Sequence, residues 1–270
     1  MIDAPKPKRR WYQYSLRTLL IFVTLSAIPC SWFAVKMQQA RRQRAAVEAI
    51  RKLKGIVVYD HEYDREATYS GPPGPTWLRK LVGDDFFASV LEVLIDELPA
   101  THAPMPHLKE LPGLQHLSLS GWHVTDASLE NVEGLTQLLE LHLDTTQVTD
   151  AGLERLSGLT RLRAFDLTAS FSVTDAGLRH LTGMSQIVTL SLSNNRITDA
   201  GLEHLKGMTQ LRWLFLDRTH ITDAGLIHLE GLTQLRELSL VHTHVTDKGV
   251  KKLQQALPKC RITRGFAEAG

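Results

Sequence analysis

Apolar residues along most of this chain fall in pairs separated by one intervening position. Leu117/Leu119, Leu141/Leu143, Phe165/Leu167, Leu190/Leu192, Leu214/Leu216 and Leu238/Leu240 all hold one register. Such alternation puts both members of a pair on one face of a short strand and the residue between them on the other. A Thr-Asp dipeptide follows each pair, beginning at Thr125, Thr149, Thr174, Thr198, Thr222 and Thr246, in steps of 24, 25, 24, 24 and 24 residues. Beyond it the period changes, so that Leu202 and Leu205, or Leu226 and Leu229, share one helical face at i, i+3 spacing. Strand, turn, helix and turn at a constant period predict a solenoid, of which residues 197–220 are a representative unit.

Counting back 24 from Leu117 and Leu119 reaches Val93 and Ile95, and counting forward from Leu238 reaches Ile262. Eight strands are therefore expected between residues 90 and 264. Thr or Asp of each dipeptide should cap the helix of its own unit, the acid being favoured by the helix dipole. Six stacked aspartates invite a metal reading, but the local capping need accounts for each. Gly152, Gly177, Gly201, Gly225 and Gly249 fall early in the helix, where a missing side chain allows adjacent turns to approach. Gly158, Gly183, Gly207 and Gly231 follow it and read as its C′ stop. The convex half of the first unit, residues 99–113, carries four prolines and is expected to be irregular.

Upstream the pattern is different. From Thr18 to Val35 (residues 18–35) no charge occurs, and a helix of 18 residues spans about 27 Å, close to the hydrocarbon thickness. Trp11, Tyr12, Tyr14 and Trp32 flank it as interfacial rings do, and a transmembrane helix over residues 16–35 is expected after a basic tail, residues 1–15. A cleaved signal peptide fits less well, because no small-x-small site follows the apolar core. Residues 36–54 continue as a basic juxtamembrane helix, read as a solvated stalk in contact with anionic headgroups. Residues 55–89 form a capping region, in which Gly55 ends the helix, residues 56–59 are β-prone and Asp84-Asp85 starts a helical turn. Trp77, Phe86 and Phe87 are apolar enough to cover the first unit. Residues 265–270 are a short tail.

Charge separates the same two parts. Residues 1–54 hold 12 Lys and Arg against Asp3 and Glu48, and the remainder holds 19 basic against 27 acidic residues. A formal +2 therefore averages a +10 segment with a −8 domain, and a domain at −8 repels phosphate backbones, which argues against nucleic acid as partner. The basic residues following the apolar run favour a cytoplasmic solenoid, whereas a signal-anchor reading favours an exported one. Cys30 and Cys260 imply no disulfide framework.

The unit L-x-x-L-x-L-x-x-T-x-[IV]-T-D-A-G-L-x-x-L-x-G-[LM]-T resembles the repeat of bacterial membrane-anchored leucine-rich-repeat proteins, whose anchor is echoed by residues 15–20, SLRTLL. The resemblance implies an α/β fold, a right-handed leucine-rich-repeat solenoid with a concave parallel sheet and convex helices behind an N-terminal transmembrane helix. It also implies seven repeats and a terminal strand. Where the common form has Asn after the strand, this chain has Thr146, Thr219 and Thr243, with Asn195 once. Trp122 in that column and one extra residue within positions 168–172 are departures, the second expected to bulge its turn.

On such a concave face the variable residues beside the leucines are the candidates for recognition. Trp213 and Phe215 stand out, two large apolar side chains on an otherwise polar surface. Asp217, Arg218 and Glu237 flank them, while Glu140, His142, Asp144 and Asp166 make the neighbouring part acidic. These nine residues are the expected partner-binding set. His220, His242 and His244 read as turn histidines rather than metal ligands, and His180, His204 and His228 as convex filler. No phosphate loop, nucleophile elbow, HExxH or paired-cysteine motif occurs in the sequence. A membrane-anchored module binding a protein or peptide follows, with no cofactor, no metal and no catalysis. A structural or glycan-binding envelope protein is the alternative, and a metal-dependent hydrolase using His142, Asp144 and Asp166 ranks below it.

Overall fold

The computed structural model describes residues 16–62, 72–96 and 107–265, and the side chains from residue 27 onward. The basic tail, most of the proline-rich convex stretch after residue 98, and residues 266–270 lie outside the described residues. One sheet of nine strands runs in chain order: β1 (Ile56–Tyr59), β2 (Val90–Ile95), β3 (His116–Leu119), β4 (Glu140–His142), β5 (Ala164–Asp166), β6 (Thr189–Ser191), β7 (Trp213–Phe215), β8 (Glu237–Ser239) and β9 (Arg261–Thr263). From β2 to β9 every pair is parallel, and Val93, Leu117, Leu141, Phe165, Leu190, Leu214, Leu238 and Ile262 are successive partners. The leucine spacing predicts that register. In the sheet β1 adds a ninth strand, antiparallel to β2, with Val57 opposite Val93.

The convex side is tighter than continuous helices. It contains α3 (Asp150–Leu156), α4 (Asp175–Leu178), α5 (Asp199–Leu202) and the closing α6 (Asp247–Ala256), while residues 128–131 and 225–229 are 3-10 turns. A 24-residue unit leaves few residues for this side, and i→i+3 bonding covers the distance with fewer of them. Among the described residues the main core is one apolar column running from Ala46 to Cys260.

Two expectations about the repeat need correction. Threonine caps its own helix, as Thr149 and Thr198 Oγ1 accept from Ala151 and Ala200 N–H at 3.2 and 3.3 Å. The aspartate instead serves the next unit. Asp126, Asp150, Asp175, Asp199 and Asp223 each accept the N–H of the following unit's threonine at 2.7–2.8 Å and its hydroxyl at 2.5–2.7 Å. A Cβ on Gly152, Gly177, Gly201, Gly225 or Gly249 would lie 2.1–2.3 Å from that carboxylate, so these glycines make room for the bridge. By contrast Gly158, Gly183, Gly207 and Gly231 have no left-handed backbone and open space where a Cβ would stand, so they are not C′ stops.

The N-terminal end also differs from expectation. Helix α1 (Leu16–Lys52) runs unbroken through Pro29. Its last part is no solvated stalk, because Ala46, Val47 and Ile50 are buried in the main core and cover the first unit. Trp77, expected in that place, is 69% exposed. Phe86 and Phe87 join a separate cluster with Ala40 and Met37. Lys54 takes the left-handed position after α1 (φ 62°), while Gly55 admits Ile50, whose Cγ2 would stand 2.7 Å from a Cβ there. Asp85 is a brace, accepting from Tyr59 Oη at 3.0 Å and Arg44 Nε at 3.0 Å. Burial, then the Asp85 carboxylate, push the Tyr59 phenol above its ordinary range. Among the described residues no helix is long and apolar enough to cross a membrane, and the side chains of residues 16–26, half of the expected span, lie outside the description.

Candidate functional site

The strands present two columns of side chains to the concave face. One reads Glu92, His116, Glu140, Ala164, Thr189, Trp213, Glu237, Arg261 across successive partners; the next reads Leu94, Ser118, His142, Asp166, Ser191, Phe215, Ser239, Thr263. Alternation with the buried leucines fixes this, since a one-residue slip would turn the core outward.

The nine expected residues fall into two patches. On β3 to β5, His116 Nδ1 lies 3.2 Å from Glu140 Oε2, and His142 lies 4.0 Å from both Glu140 and Asp166. Contact with Asp166 leads the causes that raise His142 above its ordinary value, against the opposing effect of burial, and Glu140 and Asp144 add to it. Burial pushes Asp166 up, but His142 and the Thr168 hydroxyl and N–H outweigh it and hold the carboxylate below its usual range. Asp144 accepts from Ser120 Oγ at 2.6 Å.

On β7 and β8, Trp213 and Phe215 stand half-buried on one strand, with Glu237 opposite Trp213 and Ser239 opposite Phe215. Asp217 is committed to the neighbouring unit, accepting from Val241 N–H at 2.8 Å and from the Ser239 hydroxyl. Arg218 stands off the sheet, exposed and left-handed (φ 53°) in the turn after β7. Between the patches, β6 offers only Thr189 and Ser191. Two parallel steps of the sheet, about 10 Å, therefore separate an ionic patch from an aromatic one.

Sequence reasoning missed the hydroxyls of Ser120 and Ser239, which hold the acids in place. It also missed how the irregular positions meet. Ser170 fills the buried column of Thr146 and Asn195, donating to Leu143 O at 3.0 Å, so Phe171 is the additional residue. Phe171 and Trp122, both exposed, lie 6.1 Å apart at the turn edge. His220 and His244 stack at 6.2 Å, one repeat apart, and among the described residues no group of three or more His, Cys, Asp or Glu is set to hold a metal.

A parallel sheet of 24-residue steps with short convex helices defines a leucine-rich-repeat solenoid. Residues 177–245 match the leucine rich repeat family model. An internalin C2 of Listeria monocytogenes superposes with TM-score 0.53 at 22% identity, over 65% of this chain and 80% of that one, which bears on the fold alone. An internalin F of the same organism gives TM-score 0.37 at 20% identity, over 60% of this chain and 57% of that one, too distant to bear on the fold. Comparison with curated proteins gives no match.

Proposed function

We propose that this chain is a single-pass membrane protein, of the bacterial membrane-anchored kind its repeat resembles, whose solenoid binds a protein or peptide on its concave face without catalysis of its own. One observation carries the reading: Trp213 and Phe215 stand on one strand of a face where β3 to β6 and β8 present small, polar or charged groups. Large aromatics at the centre of a polar rim supply most of the energy in protein interfaces. Glu237 beside Trp213, and the acidic patch two strands away, favour a partner segment with basic side chains. For the anchor, the support is the uncharged run at residues 18–35, which lies within the continuous α1 and precedes its basic part.

Capture of partners by the full-length chain from detergent-solubilised membranes tests the recognition surface. The double substitution Trp213→Ala, Phe215→Ala should abolish capture of a specific partner, and every partner remaining bound would refute it. A glycan-binding reading draws on the exposed Trp122–Phe171 pair. Binding there would survive the double substitution and be lost with Trp122→Ala.

A further inference from the structure

The surface left unexplained lies on α2 (Thr76–Val82). Trp77 and Leu81, one helical turn apart, are 69% and 75% exposed. The adjoining face of the helix is occupied, since Leu78 and Val82 pack with Met37 and Ala40 of α1 and with Phe86 and Phe87. The helix is thus amphipathic, with Arg79 and Lys80 on its polar side and one continuous apolar arc of which the part carrying Leu78 and Val82 is covered and the part carrying Trp77 and Leu81 is not.

Its position is fixed against α1. Phe86 meets Trp32 edge-on at 6.3 Å and Phe33 at 5.3 Å, and Arg44 Nε donates to Asp85 at 3.0 Å. Gly83, with φ 89°, closes α2 beside Arg44, and a Cβ there would stand 1.7 Å from the guanidinium. The cluster therefore sits beside residues 32–44, where the uncharged run ends and the basic part of α1 begins. Ile28, Trp32 and Val35 of α1 are exposed on the approach to it, at 69%, 59% and 57%. Lys80 of α2 and Lys36 and Arg41 of α1 supply positive charge on the same two helices, while Arg79 and Arg42 are ion-paired to Asp84 and Glu110.

We infer that α2 is a second membrane contact, with Trp77 and Leu81 seated in the headgroup region beside the end of the span. This rests on the reading of residues 18–35 as that span. Tryptophan prefers the headgroup zone, a bilayer takes up an apolar helix face that water does not, and basic residues at that depth meet anionic lipid. Continuity with the apolar run and the sign of the surrounding charge select lipid over a protein partner. The solenoid is then held against the bilayer through its first unit rather than carried on a free stalk.

The test uses the full-length chain in phosphatidylcholine–phosphatidylglycerol vesicles. A Leu81→Cys substitution, in a Cys30→Ser, Cys260→Ala background, carries an environment-sensitive fluorophore, and Gln210→Cys on a distal convex loop is the reference. Brominated lipid should quench the label at position 81 and shift its emission to the blue, and leave position 210 unchanged; Trp77→Cys should behave as position 81. A chain that resists alkaline extraction yet shows position 81 as unquenched as position 210 overturns the inference and leaves the span standing. Extraction by alkali with quenching at 81 before it would fail the span and uphold the interfacial contact, and loss of both signals would overturn both.

Discussion

From β4 to β8 the same contacts recur at every step, whereas the segment upstream of β2 makes each of its contacts once. In the array five aspartates bridge to the next unit's threonine, each across a glycine that admits the carboxylate. Upstream, Asp85 alone gathers Tyr59, Gln43 and Arg44, and Gly83 alone makes room for Arg44. Stability of a solenoid is close to a sum of unit and nearest-neighbour terms, so an injury to one unit is felt mainly next door. A cap has no equivalent neighbour on its outer side. The comparison teaches that recurrence localises damage, while singular contacts decide whether the first unit is covered at all.

The largest expected effects come from the two ends of this comparison within the one main core, the array and the cap. Phe165→Ala should cost about 3–5 kcal/mol and Ile50→Ala about 2–5 kcal/mol, measured by urea unfolding, since both side chains are fully buried. Hydrogen exchange locates the damage: Phe165→Ala should lower protection on β4 to β6, and Ile50→Ala on β1 to β3. Uniform loss across β1 to β9 in both variants would mean that the array and its cap unfold as one unit.

A smaller contrast lies within the array. Gly201→Ala should displace the Asp175 carboxylate and forfeit its two hydrogen bonds, about 2 kcal/mol. Gly183→Ala enters open space and should be neutral or stabilise by about 0.4–1 kcal/mol. Equal melting temperatures for the two would remove the bridging role assigned to the glycines.

The smallest effect is a titration. His142 is raised by Asp166, so the protonated pair contributes stability that is present below the ordinary histidine value and is lost as pH rises through the raised one. Asp166 is lowered, so its contribution is lost as pH falls through its depressed value. Asp166→Asn should therefore bring the His142 imidazole titration, followed by NMR, back toward its ordinary value, and an unchanged midpoint would break the pairing.

The array was legible because each unit repeats the evidence for its neighbour. Period 24 and the alternating leucines place eight strands, and the same alternation identifies which side chains reach the concave face. Local grammar misled where a group serves two units: Asp after Thr has the composition of a helix cap, but its oxygens are taken by the next repeat. Position early in the helix marks Gly201 as a close approach, as found, whereas the C′ stop expected at Gly207 has neither a left-handed backbone nor a neighbour to admit. In the cap, Ala46, Val47 and Ile50 showed helical spacing, but nothing in the sequence says which surface an amphipathic face will cover. Of the nine candidate recognition residues, Trp213, Phe215 and Glu237 stand together on β7 and β8. Asp144 and Asp217 are engaged by hydroxyls of adjoining units, those of Ser120 and Ser239.

Photo-crosslinking from single positions of the full chain in the cells that produce it tests concave recognition most directly. A benzophenone side chain placed at position 215 on β7 should yield a partner adduct, and one placed at position 227, exposed on the convex turn, should yield none. Adducts from position 227 with none from position 215 would contradict the account.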